Sequence, residues 1–255
     1  GFLKVEKNLD RWRLFADAQI RYVRLLLNAD ESFLGISAPI PDRSWLFVNP
    51  KLGASYQLSL RSQAYLSFGR TGREPTRFDI LGSTQINESN LELAQNPESV
   101  AAEYVNDLEL GYRFRSASLQ FQANAFFMQF ENEIAPIGAF IPEGFVQIYE
   151  NQESSRRYGV ELDYQWSLTD QWVLQGQASW MQAQISQYYD RNLDMTLQNV
   201  TPILSPEWNL TQSLQYKITG GLLLGAQLRY LSEQFMELTN SDELTVTSSF
   251  VVDTY

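Results

Sequence analysis

Apolar and polar residues alternate with a period of two through much of the chain. From Arg157 to Trp166 the apolar set is Tyr158, Val160, Leu162, Tyr164 and Trp166, and the residues between are Arg157, Gly159, Glu161, Asp163 and Gln165. This spacing predicts a strand with one greasy face and one wet face. The dyad returns at Tyr104, Leu108, Leu110, Tyr112 and Phe114 against Asp107, Glu109, Gly111, Arg113 and Arg115, and again at Leu222, Leu224, Ala226, Leu228 and Tyr230 around Gly225, Gln227 and Arg229. The inner face of a soluble sandwich would favour Val, Ile and Leu. Here the apolar sets end repeatedly in Tyr or Trp, as a membrane interface selects.

About eleven strands are predicted, at residues 1–7, 12–27, 45–57, 62–70, 103–115, 117–134, 146–167, 171–186, 205–217, 221–236 and 244–255. Tight turns fall at Asn8-Leu9-Asp10, near Ser59, and at Arg115-Ser116-Ala117, Leu168-Thr169-Asp170 and Ile218-Thr219-Gly220. Long connections fall between them, around residues 30–42, 71–101, 135–143, 188–202 and 237–243. A meander with short turns at one end and long loops at the other is the plan of an outer-membrane barrel, whereas Greek-key connections have no reason to sort loop lengths. The fold class expected is therefore all-β, an antiparallel up-and-down transmembrane β-barrel. Strand-like runs open the chain at Phe2-Leu3-Lys4-Val5 and close it at Phe250 to Tyr255. An even strand number is usual in bacterial barrels, so the expectation is a segment of a longer barrel wall.

Composition narrows the function classes. The chain has 255 residues, 44% of them hydrophobic, and a slightly negative mean hydropathy. No run approaches the roughly 20 apolar residues of a spanning helix. The absence of cysteine decides little. The absence of histidine removes Ser-His-Asp and Cys-His pairs and histidine metal ligands, and with them the commonest hydrolase and zinc-enzyme designs; neither an enzyme nor a cofactor is expected. A net charge of −11 argues against nucleic acid as a partner.

Several short motifs go beyond the alternation. Phe47-Val48-Asn49-Pro50-Lys51-Leu52-Gly53-Ala54-Ser55-Tyr56 resembles the "NPK.G.sY" strand of TonB-dependent outer-membrane receptors, and Gly72-Arg73-Glu74-Pro75-Thr76-Arg77 their "REPT" element. Pro97-Glu98-Ser99 with Asn106 to Tyr112 resembles "PE…yE.Gy". Asn151 with Ser154 to Glu161 resembles "N…s.r.GvE", and Ser205-Pro206-Glu207-Trp208 resembles "sP.w". Five motifs in family order cover nearly the whole chain. The resemblance implies the C-terminal part of a 22-stranded barrel, without the plug domain, the first half of the barrel or the last strands. It further implies localisation in the cell outer membrane, with outer-membrane lipid, the parent's plug domain and TonB as partners. The implied activity is active transport of a scarce bulky ligand; by family frequency this is a ferric siderophore.

Candidate ligand contacts are Arg70, Arg73 and Arg77 around Pro75, Arg156 and Arg157 at a second loop-proximal position, and Tyr188, Tyr189 and Arg191 in a later loop. Guanidinium forks suit an anionic complex. The bland alternatives are local pairing of Arg73 with Glu74, and neutralisation of Glu161 and Asp163 by Arg156 and Arg157. Glu161 with Asp163, and Asp107 with Glu109, are carboxylate pairs two residues apart on one strand face, about 7 Å by strand geometry. Such spacing could serve a glycosidase pair or a hard-cation site; in a barrel the bland reading is a hydrated wall or anchors for plug arginines. Met128 and Phe126 share that inner phase. The competing class is a soluble β-rich carbohydrate-binding or structural module, which would bury Leu108, Leu110, Val160, Leu162, Leu222, Leu224 and Leu228 in a closed core.

Overall fold

The computed structural model describes residues 1–27, 40–82, 86, 90–141, 146–190, 193–218 and 220–255. Arg191 and most of the 30–42 connection lie outside the described residues. In chain order the elements are β1 (Phe2–Leu9), β2 (Trp12–Leu25), β3 (Arg43–Ser59), β4 (Ser62–Arg73), helix α1 (Arg77–Leu81), helix α2 (Leu91–Gln95), β5 (Glu103–Arg115) and β6 (Leu119–Ile141). They continue with β7 (Val146–Ser167), β8 (Trp172–Asp190), β9 (Met195–Val200), β10 (Trp208–Lys217), β11 (Leu223–Leu231), β12 (Gln234–Phe235), β13 (Thr245–Val246) and β14 (Ser249–Thr254).

One antiparallel sheet carries the molecule, in the order β1-β2-β3-β4-β5-β6-β7-β8-β10-β11-β14, with β9 paired to β8 off that path. The eleven-strand meander expected from the alternation is this path. Sequence neighbours joined by tight turns must return to the same rim. The turns after Leu9, Ser59, Arg115, Ser167 and Lys217 therefore share one end, and the long connections share the other.

Residues directly opposed in an antiparallel sheet lie on the same face. One row crosses eight strands through Leu14, Ala54, Leu66, Leu110, Ala125, Val160, Trp180 and Trp208. Another crosses the opposite face through Gln57, Gln63, Arg113, Gln122, Asp163, Gln177, Thr211 and Arg229. Leu110 is 57% exposed and Leu224 50%, so no second layer covers the apolar face as a sandwich would require. Side chains of the polar face, from Gln57 on β3 to Gln227 on β11, line one cavity of about 720 Å³, which makes that face the concave one. The apolar face is the outside of a curved wall. Leu108, Leu110, Val160, Leu222 and Leu224 are exposed, and Leu162 and Leu228 half-buried, which excludes the closed soluble core.

Glycines on the inner wall let large rings lie flat against the backbone. A methyl group on Gly53 would overlap the Phe15 ring, and one on Gly111 would overlap Tyr65, whose hydroxyl donates to Asn124 Oδ1 at 3.1 Å while Arg113 stacks 5.0 Å from its centroid.

The strand limits depart from the periodic reading mainly toward the loop end. β6 runs on to Ile141 rather than stopping at 134, as a long hairpin with β7 through Glu133↔Gln152 and Phe140↔Gln147. Asn132 has a positive φ of 55° and the register shifts between Pro136 and Phe140, so the face alternation is lost although pairing continues. β9 arises inside the 188–202 connection, and the expected 244–255 strand divides into β13 and β14. The 71–101 connection holds α1 and α2. Thr76 caps α1 reciprocally, accepting from the Asp79 N–H at 3.2 Å while Asp79 accepts from the Thr76 N–H at 2.8 Å.

Buried apolar clusters sit at the loop end. One joins Leu27, Ile80, Leu81, Ile86, Ala94, Val100 and Ile134; the other joins Ile185, Tyr188, Val200, Ile203 and Leu238. Ile137 packs on the second cluster, so the β6–β7 hairpin touches both.

Candidate functional site

The inner wall changes character with height. Near the turns the cavity is lined by eight glutamines, with Arg61, Arg113, Arg115 and Asp163 among them. Amides donate and accept without carrying charge. At mid-height the wall is acidic. Ser67 Oγ donates to Glu109 at 3.3 Å, Asp107 lies opposite Gly69 and Met128, and Glu161 lies opposite Asn124 and Ser179. Among the described residues no ion pair reaches Asp107, Glu109, Glu161 or Asp163, and Asp107 Oδ1 is buried without a hydrogen-bond partner.

Toward the loops, charge is paired instead. The "REPT" element is a clasp. Arg73 reaches Glu103 and Asp79, each at 3.3 Å, and Glu74 pairs with Arg21 at 2.7 Å. Burial opposes the Arg73 charge, but the two carboxylates outweigh it and raise the guanidinium pKa above its ordinary value. Pairing of Arg73 with Glu74 is not what forms. Each partner is supplied by another part of the chain, and Asp79 comes from the helix that Thr76 caps.

Arg43 organises the same loop from below. It is buried, and its guanidinium donates to the carbonyls of Leu93 (2.8 Å), Ala94 (3.4 Å), Asn96 (2.7 Å) and Pro97 (3.5 Å), and to Ser99 Oγ at 3.3 Å. These are the carbonyls that α2 and the turn after it leave without intrahelical partners. Burial lowers the Arg43 pKa.

The arginines and tyrosines of the sequence reading do not form one cluster. Arg70 lies opposite Asn106, two residues from exposed Phe68, and so faces outward; it forms a fork to Glu131 at 3.0 and 2.8 Å and stacks 4.7 Å from Tyr104. Arg156 faces outward in the same row, donating to Gln184. Arg157 faces inward, stacked 4.6 Å from Phe130 and ion-paired with Glu133, which also accepts from Ser155. Neither Arg156 nor Arg157 neutralises Glu161 or Asp163. Arg77 opens α1, exposed and unpaired among the described residues. Tyr188 is in the second buried cluster, and the hydroxyl of exposed Tyr189 donates to Asp194 Oδ1 at 2.5 Å.

Sequence reasoning missed Arg43, Arg21 and Glu103. The Thr76-x-x-Asp79 spacing is a capping-box signal that marks α1, but nothing in the local pattern marks Arg43, whose acceptors lie about 50 residues away.

The family model for TonB dependent receptor-like β-barrels matches residues 1–255. The chain belongs to the TonB-dependent receptor family. No curated protein sequence matches it. Among solved structures it is similar to the copper transporter OprC, with a TM-score of 0.76 at 14% identity, covering 98% of this chain and 37% of that one. The ferric yersiniabactin uptake receptor FyuA from Yersinia pestis gives 0.67 at 15% identity over 96% and 35%, and the FrpB iron transporter from Neisseria meningitidis 0.66 at 15% over 99% and 36%. At these identities the likeness shows the fold of the receptor wall. The chain spans about a third of the length of those structures.

Proposed function

We propose that this chain forms part of the wall of an outer-membrane uptake receptor that captures a scarce, bulky ligand at its loop end and is energised by TonB through a plug domain held against the concave face. The observation that carries this reading is the division of the wall. An apolar outer face with a single layer behind it suits lipid, and an inner face whose carboxylates Asp107, Glu109, Glu161 and Asp163 have no ion-pair partner among the described residues suits a cationic polypeptide surface inside the barrel. Family membership supports transport. The cargoes named for the similar structures, copper, ferric yersiniabactin and iron, support a metal complex, with a ferric siderophore first among them.

Cargo contact is assigned to two loop-end cations. Arg77 is exposed and unpaired among the described residues, and Arg157 faces inward toward the loop end of β7, stacked on Phe130 and paired with Glu133. Arg73 and Tyr189 stand behind them as shape-forming groups, while Arg70 and Arg156 face away and Tyr188 is packed inside. The test uses the full-length receptor, titrated with ferric siderophores, copper, cobalamin and oligosaccharides, together with uptake in cells with and without TonB. Expected is preference for an anionic ferric complex, TonB-dependent uptake, and loss of roughly 1.5 to 3 kcal/mol of binding per arginine in Arg77→Gln and Arg157→Gln. Preference for a neutral glycan, or uptake that ignores TonB, would overturn the reading.

A further inference from the structure

The outward face carries a polar row that neither cargo capture nor the plug uses. Arg70, Asn106, Gln129, Arg156 and Gln184 are directly opposed in turn across β4 to β8, at the loop-side edge of the apolar belt. Within that row the two cations differ. Arg70 is neutralised by the two oxygens of Glu131, whereas exposed Arg156 donates through Nε and Nη2, at 3.2 and 2.8 Å, to one neutral oxygen, Gln184 Oε1. Gln184 thus uses its acceptor on the arginine, and Gln129, opposed to Arg156 on the other side, is exposed. No carboxylate of a described residue is ion-paired with Arg156.

Immediately toward the belt lie aromatic rings. Tyr158, two residues from Arg156 on the same face, meets Trp180 edge-on at 6.1 Å between centroids, and Trp180 lies 6.4 Å from Trp208. Their polar atoms are turned to acceptors: Tyr158 donates to Gln182 at 2.7 Å and the Trp180 indole N–H to Glu207 at 2.8 Å. Val160, exposed, continues the surface into the apolar belt. A cation flanked by amide side chains, then rings, then aliphatic surface is the polarity order of one amphiphile: anion, sugar, acyl chain.

We propose that Arg156, with Gln184 and Gln129, binds the phosphate of a phosphorylated glycolipid in the leaflet on the loop side, with its sugar resting on Tyr158, Trp180 and Trp208. The site rests on the membrane reading above, but is independent of cargo. Arg156 supplies the charge; the rings select a sugar over a simple glycerol headgroup. The full-length receptor would be placed in phosphatidylcholine nanodiscs doped with bis-phosphorylated lipid A, dephosphorylated lipid A or phosphatidylglycerol, and bound lipid counted by native mass spectrometry. Failure to enter the nanodisc at all would mark failure of the membrane reading and take the site with it. Given insertion, the expected result is retention of phosphorylated lipid A over both other lipids, weakened roughly tenfold in Arg156→Gln and kept in Arg156→Lys. Equal retention of the dephosphorylated form, equal retention of phosphatidylglycerol, or an Arg156→Gln variant that binds as wild type would each overturn the proposal. So would equal loss in the Lys variant, because it would separate binding from charge.

Discussion

The turn end and the loop end of this wall are held together by different means. Below the Lys51↔Gly69 pair, β3 and β4 share a backbone ladder, interrupted only by a shift near the turn between Gln57 and Ser59. Beyond that pair both strands continue, to Arg43 and Arg73, without pairing to each other. Side chains bridge the gap: Asn49 Oδ1 accepts the Gly72 N–H at 3.0 Å, Arg21 donates to the Gly72 carbonyl at 3.0 Å, and fully buried Phe47 fills the space a side chain at position 72 would need. The ladder end is specified by a two-residue period and tolerates substitution on its wet side. The loop end is specified by individual long-range contacts, so single residues there carry more of its order.

The largest effect separating the two faces of the ladder end is expected at Leu224. Replacing it with Arg places a charge on the lipid side and should destabilise the parent barrel by about 2 to 4 kcal/mol, while Gln227→Arg, turned toward the cavity, should cost less than about 1 kcal/mol. Bilayer refolding titrations of the two variants give the comparison. Equal losses would erase the distinction between outer and inner face.

Arg43 offers the corresponding break at the loop end, with a slightly smaller effect. Arg43→Met keeps much of the volume but strips α2 and its following turn of their donors, leaving buried carbonyls unsatisfied at about 1 to 3 kcal/mol. The loss should be local. Hydrogen exchange should quicken across 77–82 and 90–102 while protection of β10 and β11 stays unchanged, and uniform acceleration throughout the wall would contradict independent order at the two ends.

This division also explains what could be read in the sequence. Strand order, the outer belt and the inner polar rows follow from alternation, because each strand exposes its period to two unlike solvents over many residues. The alternation fails at Asn132, where one left-handed residue resets the faces, and within 71–101, where turns of helix interrupt the strands. The six candidate arginines were legible as cations near loops. The distant partners of Arg70, Arg73, Arg157 and Arg156 were not, since Glu131, Glu103, Glu133 and Gln184 lie about 24 to 61 residues away and carry no local signature. Arg70 illustrates the limit: its phase on β4 marks it as outward, yet proximity to Pro75 in the chain suggests a shared inner site with Arg73 and Arg77.

The smallest expected effect tests whether the clasp shapes the loop or merely decorates it. Glu103 accepts both Nε and Nη2 of Arg73 at 3.3 Å and takes the Ile134 N–H at 2.8 Å, joining the loop root to the β6 extension. Glu103→Gln keeps the shape and a carbonyl acceptor for Ile134 but removes the charge. Because the guanidinium is partly exposed and retains Asp79, the cost should be about 1 kcal/mol. Salt distinguishes the two roles. If the ion pair orders the loop, the difference between wild type and variant in exchange at 77–82 should shrink as ionic strength rises through the range where the screening length falls below about 8 Å. A difference that persists at high salt would assign the residue's effect to its bond with Ile134 and leave the arginine as a neighbour without consequence for the loop.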